Sequence, residues 1–175
     1  NYKLKSYPKN VIYFLHISKC GGTTLRDAFI ELNKFSNTKV RRFPHAVKAN
    51  NLNFKNKNKY IISIREPLSR YFSAYYDRKR SKELNKIERS YYELFPTANK
   101  LAEALSHKDN EIKFKAIEAM EKIELVNHKL EYWFSIDFLK KQKPYFIFEQ
   151  EKLEEDFIKF CRLIKLNKKI NFYVR

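Results

Sequence analysis

VIYFLHISKCGGTTL, Val11–Leu25, decides how the rest of this chain is read. Val11–Leu15 is five consecutive apolar residues, some β-branched or aromatic, which describes a central strand buried on both faces. Gly21 and Gly22 are the only glycines in 175 residues, so backbone freedom is concentrated at one turn rather than spread over loops. Behind that turn Leu25, Ala28, Phe29 and Leu32 recur at helical spacing, predicting a helix over Thr23–Asn33 with one face on a sheet. A strand, a tight turn and a helix form an anion site, because the N–H groups of the first helical turn have no intrahelical partner and carry partial positive charge.

The pattern is not the triphosphatase signature GxxxxGK[ST], since Lys19 precedes the glycines. The lysine charge therefore enters from the other side of the turn. Lys19 then points its ammonium at the anion, while the amides from Gly21 to Thr24 and the hydroxyls of Thr23 and Thr24 hold its oxygens. A magnesium site normally adds a carboxylate to such a loop, and no Asp or Glu ends the first or second predicted strand, so the turn is read as metal-free. On spacing alone, a plain strand-to-helix turn with an incidental lysine stays open.

Working outward, Lys39–Phe43 predicts a short second strand that ends at Pro44-His45. Tyr60–Ile64 (YIISI) predicts a third strand, ending at Arg65-Glu66-Pro67, with Pro67 suited to the first position of the next helix. Leu68, Phe72, Tyr75 and Tyr76 are expected as that helix's buried stripe, and Ser73 falls about two turns in, in line with Ser69. Arg65 and Ser73 could clamp a second phosphate; the plainer reading makes Arg65 an ion-pair partner and Ser73 a surface serine. Ser81–Ser90 reads as a charged connector, and Thr97 as the cap of a short helix with Leu101, Ala104 and Leu105 inward. Apolar residues from Ile112 to Trp133 alternate steps of four and three, predicting one long helix over Glu111–Phe134, packed on the sheet rather than in a coiled coil. Tyr145–Phe148 predicts a fourth strand and Glu151–Lys165 a last helix with Leu153, Phe157, Phe160 and Ile164 on one face. Strands alternating with helices predict an α/β fold with a parallel sheet.

Asn1–Asn10 reads as a polar leading arm, the Asn/Lys-rich stretch Asn51–Tyr60 as loop or partial helix, and residues 1–175 as one domain. A net charge of +17 favours anionic partners, although Lys/Asn/Ile-heavy usage also accounts for much of it. Cys20 and Cys161 show no spacing that suggests a disulfide framework or a zinc site. The chain shows no signal peptide and no apolar run of membrane-spanning length, so a soluble, cytoplasmic protein is expected.

Two segments together resemble the carbohydrate sulfotransferase superfamily, which uses 3′-phosphoadenosine 5′-phosphosulfate (PAPS) and includes the heparan-sulfate sulfotransferases. HISKCGGTTL is similar to that family's 5′-phosphosulfate loop, usually close to HIPKTGGTSL, and SIREPLSRYFSAYYD to its 3′-phosphate motif, usually close to VRDPxxRxxSxYY. FEQEKLEEDF, Phe148–Phe157, resembles a later strand-to-helix segment more loosely. The resemblance implies a P-loop-like three-layer sandwich, a mainly parallel sheet flanked by helices. It also implies transfer of a sulfuryl group from PAPS to a hydroxyl of a carbohydrate or other small acceptor, with release of 3′-phosphoadenosine 5′-phosphate (PAP), and the basic composition suits an acceptor that is itself anionic.

Under the resemblance, Lys19 binds the 5′-phosphosulfate and meets charge on the bridging oxygen. Cys20, Gly21, Gly22, Thr23 and Thr24 line the loop, and Arg65 and Ser73 hold the 3′-phosphate. His45 stands where several members place a catalytic histidine, and a neutral imidazole suits a general base; a glutamate is the alternative, none being marked by spacing. His16 is expected to orient or pack against the loop, and His107 and His128 to be surface residues. Ser18 and Cys20 replace the usual Pro and Thr, Glu66 replaces Asp, and only Asn167–Arg175 follow the last predicted helix, where members usually continue, so either a truncated C-terminus or a minimal member is expected. A catalytically silent PAP-binding domain and a basic nucleic-acid-binding domain are the rival functions. A metal-dependent kinase would need the missing carboxylate and the other lysine placement.

Overall fold

The structure is a computed structural model and describes residues 10–49, 59–166, 168, 170 and 172. The expected leading arm, most of the Asn/Lys-rich stretch and most of the tail lie outside the described residues. The chain divides into two compact units, residues 1–66 with 130–175, and residues 67–129.

The first unit is built on four parallel strands in the order β2-β1-β3-β4: β1 (Val11–Leu15), β2 (Lys39–Phe43), β3 (Lys59–Ile64) and β4 (Phe146–Glu149). The α/β fold with a parallel sheet is thus present as expected. In register, Leu15 pairs with Phe43 and Ile62, and Ile64 with Glu149, so the C-terminal ends of all four strands share one sheet edge. β1 alternates between two cores. Val11, Tyr13 and Leu15 pack with Phe43, Tyr60, Ile62, Trp133 and Phe134 on one face, and Ile12 and Phe14 with Val40, Ile61 and Phe148 on the other. Helix α1 (Gly22–Phe35) covers the second face with Leu25, Ala28, Phe29 and Leu32, the predicted stripe. The last helix, Leu153–Leu163 (α7 below), joins it there through Leu153, Phe157 and Phe160, after a 3-10 turn at Gln150–Lys152. The first face is covered by the 3-10 turn Leu130–Tyr132 and by Phe138 and Leu139 of a short helix, Ile136–Lys141 (α6 below), which periodicity does not announce.

The second unit comprises α2 (Pro67–Lys79), α3 (Lys86–Leu94), α4 (Ala98–Ala104) and α5 (Asn110–Lys122) around Tyr75, Tyr92, Phe95, Leu101, Ala116 and Ile123. Pro67 opens α2 and the Thr97 hydroxyl accepts from Lys100 N at 3.1 Å, both as predicted. Three expectations are corrected. The buried stripe of α2 is Ala74 and Tyr75, whereas Leu68 and Tyr76 are exposed, because the neighbouring helices meet α2 on a narrower arc. The supposed connector contains α3, opened by a capping box in which Asn85 accepts from Glu88 N and the Glu88 carboxylate accepts from Asn85 N. Glu88 is buried because it also accepts from Arg78 Nη2 at 2.6 Å and from Glu124 N at 3.1 Å.

The third correction is the long helix, which ends at Lys122. Ile123 turns extended (ψ 116°), Leu125 is left-handed (φ 67°), and Asn127 Nδ2 satisfies the Glu121 carbonyl at 3.1 Å. The apolar rhythm runs past this break because Ile123 and Val126 fill the core of the second unit while Trp133 fills a core of the first.

Candidate active site

The parallel sheet delivers the residues following β1, β2, β3 and β4 to one edge, with the change of winding direction between β1 and β3. His16–Gly21 follows β1, His45 follows β2, Arg65 follows β3, and Gln150 and Glu151 follow β4.

The loop after β1 has a special backbone. Lys19 is left-handed at φ 66° without being glycine, and Gly21 is left-handed at φ 75°. A left-handed lysine costs roughly 1–2 kcal/mol, and such strain persists only where surrounding structure enforces it. Arg65 supplies part of that enforcement, donating from Nη1 to the Lys19 carbonyl at 3.3 Å. At Gly21 a Cβ would stand 3.0 Å from both Gln150 Cγ and Leu153 Cδ2, so the loop is also closed in from the β4 side. Glu151 fastens the neighbouring corner by accepting from Glu66 N at 3.1 Å.

Helix α1 then starts with Gly21 as N-cap, with no side-chain cap and no acidic residue in its first turn. Its first intrahelical bond is Leu25 N to Gly21 O at 3.1 Å, so the amides of Gly22, Thr23 and Thr24 precede the ladder. An uncapped, acid-free N-terminus beside a lysine is a receptor for an oxyanion. Of the loop side chains proposed as donors, Thr23 is exposed and Thr24 buried. Cys20 is buried, its thiol turned to the Ser18 carbonyl at 3.6 Å.

Beneath the loop lies His16, only 5% exposed. Its ring stacks on Phe14 at 5.5 Å and touches the His45 ring at a centroid distance of 3.7 Å. A Cβ on Gly22 would fall 1.6 Å from His16 Nε2, so Gly22 is glycine because the imidazole occupies that space. Burial, reinforced by the charges of His45, Arg42 and Arg26, pushes His16 down to about 3. His45 is also lowered: although the residue as a whole is exposed, enclosure of its ring is the main cause, a hydrogen bond to the His16 backbone opposes it, and Arg42 and Lys19 add to it. Both imidazoles are therefore neutral near neutral pH. The backbone at His45 is anchored by Trp133, whose Nε1 donates to the His45 carbonyl at 3.0 Å, and Ala49 N donates back to the Trp133 carbonyl at 2.7 Å.

The depressed His16 has a thermodynamic consequence. Below its ordinary value of 6.5 the unfolded chain takes up a proton that the folded chain refuses until about pH 3. Stability contributed by the neutral ring is thus present above pH 6.5 and is lost as pH falls, at up to about 1.4 kcal/mol per pH unit. Chemical unfolding of wild type and His16→Leu between pH 6.5 and 4 is expected to show a shallower acid loss in the variant; parallel curves would contradict the buried neutral ring.

The structure brings Lys19, Cys20, Gly21, Gly22, Thr23, Thr24, His45 and Arg65 to one edge of the first unit. Ser73, half-buried on α2, belongs to the second. Among the described residues no group of three or more His, Cys, Asp or Glu is placed to hold a metal ion, and no helix is long and apolar enough to cross a membrane. Sequence reasoning did not find Trp133 as the anchor of His45, nor Gln150 as the wall beside Gly21. The signal for Trp133 was its being the single tryptophan; Gln150 had none.

A model of the sulfotransferase family matches residues 3–174. The chain belongs to the sulfotransferase family. That span takes in both glycines, His45, Arg65 and Ser73 and nearly the whole length of the chain. The family assigns a sulfotransferase activity in general terms and gives the oxyanion receptor at α1 a chemical meaning. Comparison with curated proteins and with solved structures gave no match.

Proposed function

We propose that this sulfotransferase takes its sulfuryl group from PAPS and delivers it to a hydroxyl of a carbohydrate or other small acceptor, releasing PAP. The observation that carries the reading is the uncapped, acid-free start of α1 under a left-handed Lys19, with Arg65 bonded to that lysine's carbonyl. A phosphosulfate offers several anionic oxygens, and the first-turn amides, the Thr23 and Thr24 hydroxyls and the Lys19 ammonium match them in charge and number of donors. Arg65, with Ser73 from the same sequence motif, takes the 3′-phosphate, the group that separates this donor from ATP.

In the transfer, the acceptor oxygen forms a bond to sulfur as the bond from sulfur to the 5′-phosphate oxygen of the donor breaks. The acceptor proton passes to neutral His45, and Lys19 meets the negative charge gathering on the departing oxygen. Positioning by fixed donors supplies most of the rate, since the protein makes no covalent bond to the group in flight.

Thermal stabilisation by PAP, compared with ATP and AMP, tests the donor. PAP is expected to raise Tm well above the other two in wild type, and Arg65→Ala to erase most of that preference. Equal shifts from all three nucleotides, or a PAP preference untouched by Arg65→Ala, would remove PAPS from the proposal.

A further inference from the structure

Two imidazoles in ring contact at the rim of an anion receptor have a physical consequence for each other. His16 and His45 stand 3.7 Å apart with a tilt of 40° between their rings. His16 is clamped on its other sides by Phe14 and by the α-carbon of Gly22, the first residue of α1. Its Nδ1 is buried and has no hydrogen-bond partner among the described residues, an arrangement that works against folding. A leucine here would fill the same space without an orphaned nitrogen. Packing alone therefore gives no reason for histidine at this position. The ring spans the distance between the turn that receives the donor and the residue proposed to take the acceptor's proton.

We propose that His16 is a positioning residue, its clamped ring fixing where the His45 imidazole stands relative to the first turn of α1. The proposal rests on the reading of His45 as base. A change at Gly22 when an anion docks on the α1 amides reaches His16 directly, because nothing as large as a methyl group separates them. His16 transmits it to His45 through the ring contact. The charged groups around the pair come from three elements: Arg42 on β2 and Lys19 in the loop act on His45, and Arg42 and Arg26 of α1 act on His16. All are cations and favour the neutral form of the imidazole they face. The hydrogen bond from His45 goes to the His16 backbone, which a side-chain substitution leaves in place, so the variants test the ring contact alone.

The test needs no acceptor. Protein with carbon-13-labelled histidine has four imidazole signals, from His16, His45, His107 and His128, assignable by single substitution. His45 is titrated with and without saturating PAP in wild type, His16→Ala and His16→Asn, while thermal shift reports PAP binding in each. In wild type the His45 signal is expected to move on adding PAP. In either variant that response is lost, and the His45 midpoint rises by about half a unit or more as water reaches the ring, while PAP still raises Tm.

A folded variant in which the His45 midpoint and its PAP response both match wild type overturns the proposal. Should neither variant fold, wild type decides: an unmoved His45 at saturating PAP overturns it, and joint movement of His16 and His45 supports it. The readings fail separately. If PAP does not raise Tm in wild type the donor assignment falls, and the midpoint comparison alone decides for or against His16. If His45→Ala retains transfer, His45 is not the base, whatever the titrations show.

Discussion

Gly22→Ala is expected to lower Tm by several degrees, against the ordinary preference of a helix for alanine. Alanine in a helix is worth about 0.5–1 kcal/mol more than glycine, and Gly22 lies inside α1 with no left-handed backbone to forbid a side chain. The new methyl, however, would stand 1.6 Å from His16 Nε2 and 2.0 Å from Cδ2. Real contacts do not occur at such distances, so the ring or the helix start must move. The ring has no easy exit, with Phe14 stacked on it and His45 in contact. Overpacking of this kind costs about 1–3 kcal/mol, enough to outweigh the helical gain. The double variant His16→Ala/Gly22→Ala is expected to recover most of the loss, because removing the ring vacates the space the methyl needs. Thermal unfolding of the four proteins forms a cycle whose coupling should exceed about 0.5 kcal/mol. An additive cycle, or a Gly22→Ala protein more stable than wild type, would refute the close approach.

His45→Ala carries the largest expected effect on activity. It is expected to leave the PAP-induced rise in Tm nearly intact and to reduce sulfate transfer by about 10²–10⁴-fold, the usual worth of a positioned acid or base. The separation arises because His45 follows β2, whereas the oxyanion receptor is made by the β1–α1 turn. Radiolabelled PAPS offered with a panel of carbohydrates measures the transfer. Transfer within threefold of wild type would remove His45 from the mechanism and return the search to the carboxylates near the sheet edge, Glu151 among them.

β1 and β3 were legible because a central parallel strand is buried on both faces, so VIYFL and YIISI read as near-continuous apolar runs. The edge strand β4 was legible from the run YFIF although Ile147 is exposed. The helices beside the sheet were legible for the related reason that a single apolar stripe suffices to pack them, as Leu25, Ala28, Phe29 and Leu32 do in α1. Helix α3 was illegible by hydrophobicity, since what starts it is the polar Asn85–Glu88 box and what buries Glu88 is an arginine ten residues earlier in the chain. The end of α5 was hidden by apolar residues that continue its rhythm while serving two different cores.

At the site, the position of Lys19 before the only two glycines and the pairing of that loop with the Arg65–Ser73 segment are properties of the chain order alone. They carried the resemblance to the sulfotransferase family that the family match bears out, and the turn by itself announced an anion of some kind, because the unpaired amides of a helix's first turn attract negative charge. Chain order said that His16 would meet the loop and that His45 would follow a strand; it did not say that they would meet each other. That contact depends on β1 and β2 lying side by side in register and on Trp133 holding the His45 carbonyl from 88 residues away. Only the tertiary structure decided it, since short-range spacing carries no information about which side chains two separate strand ends bring together.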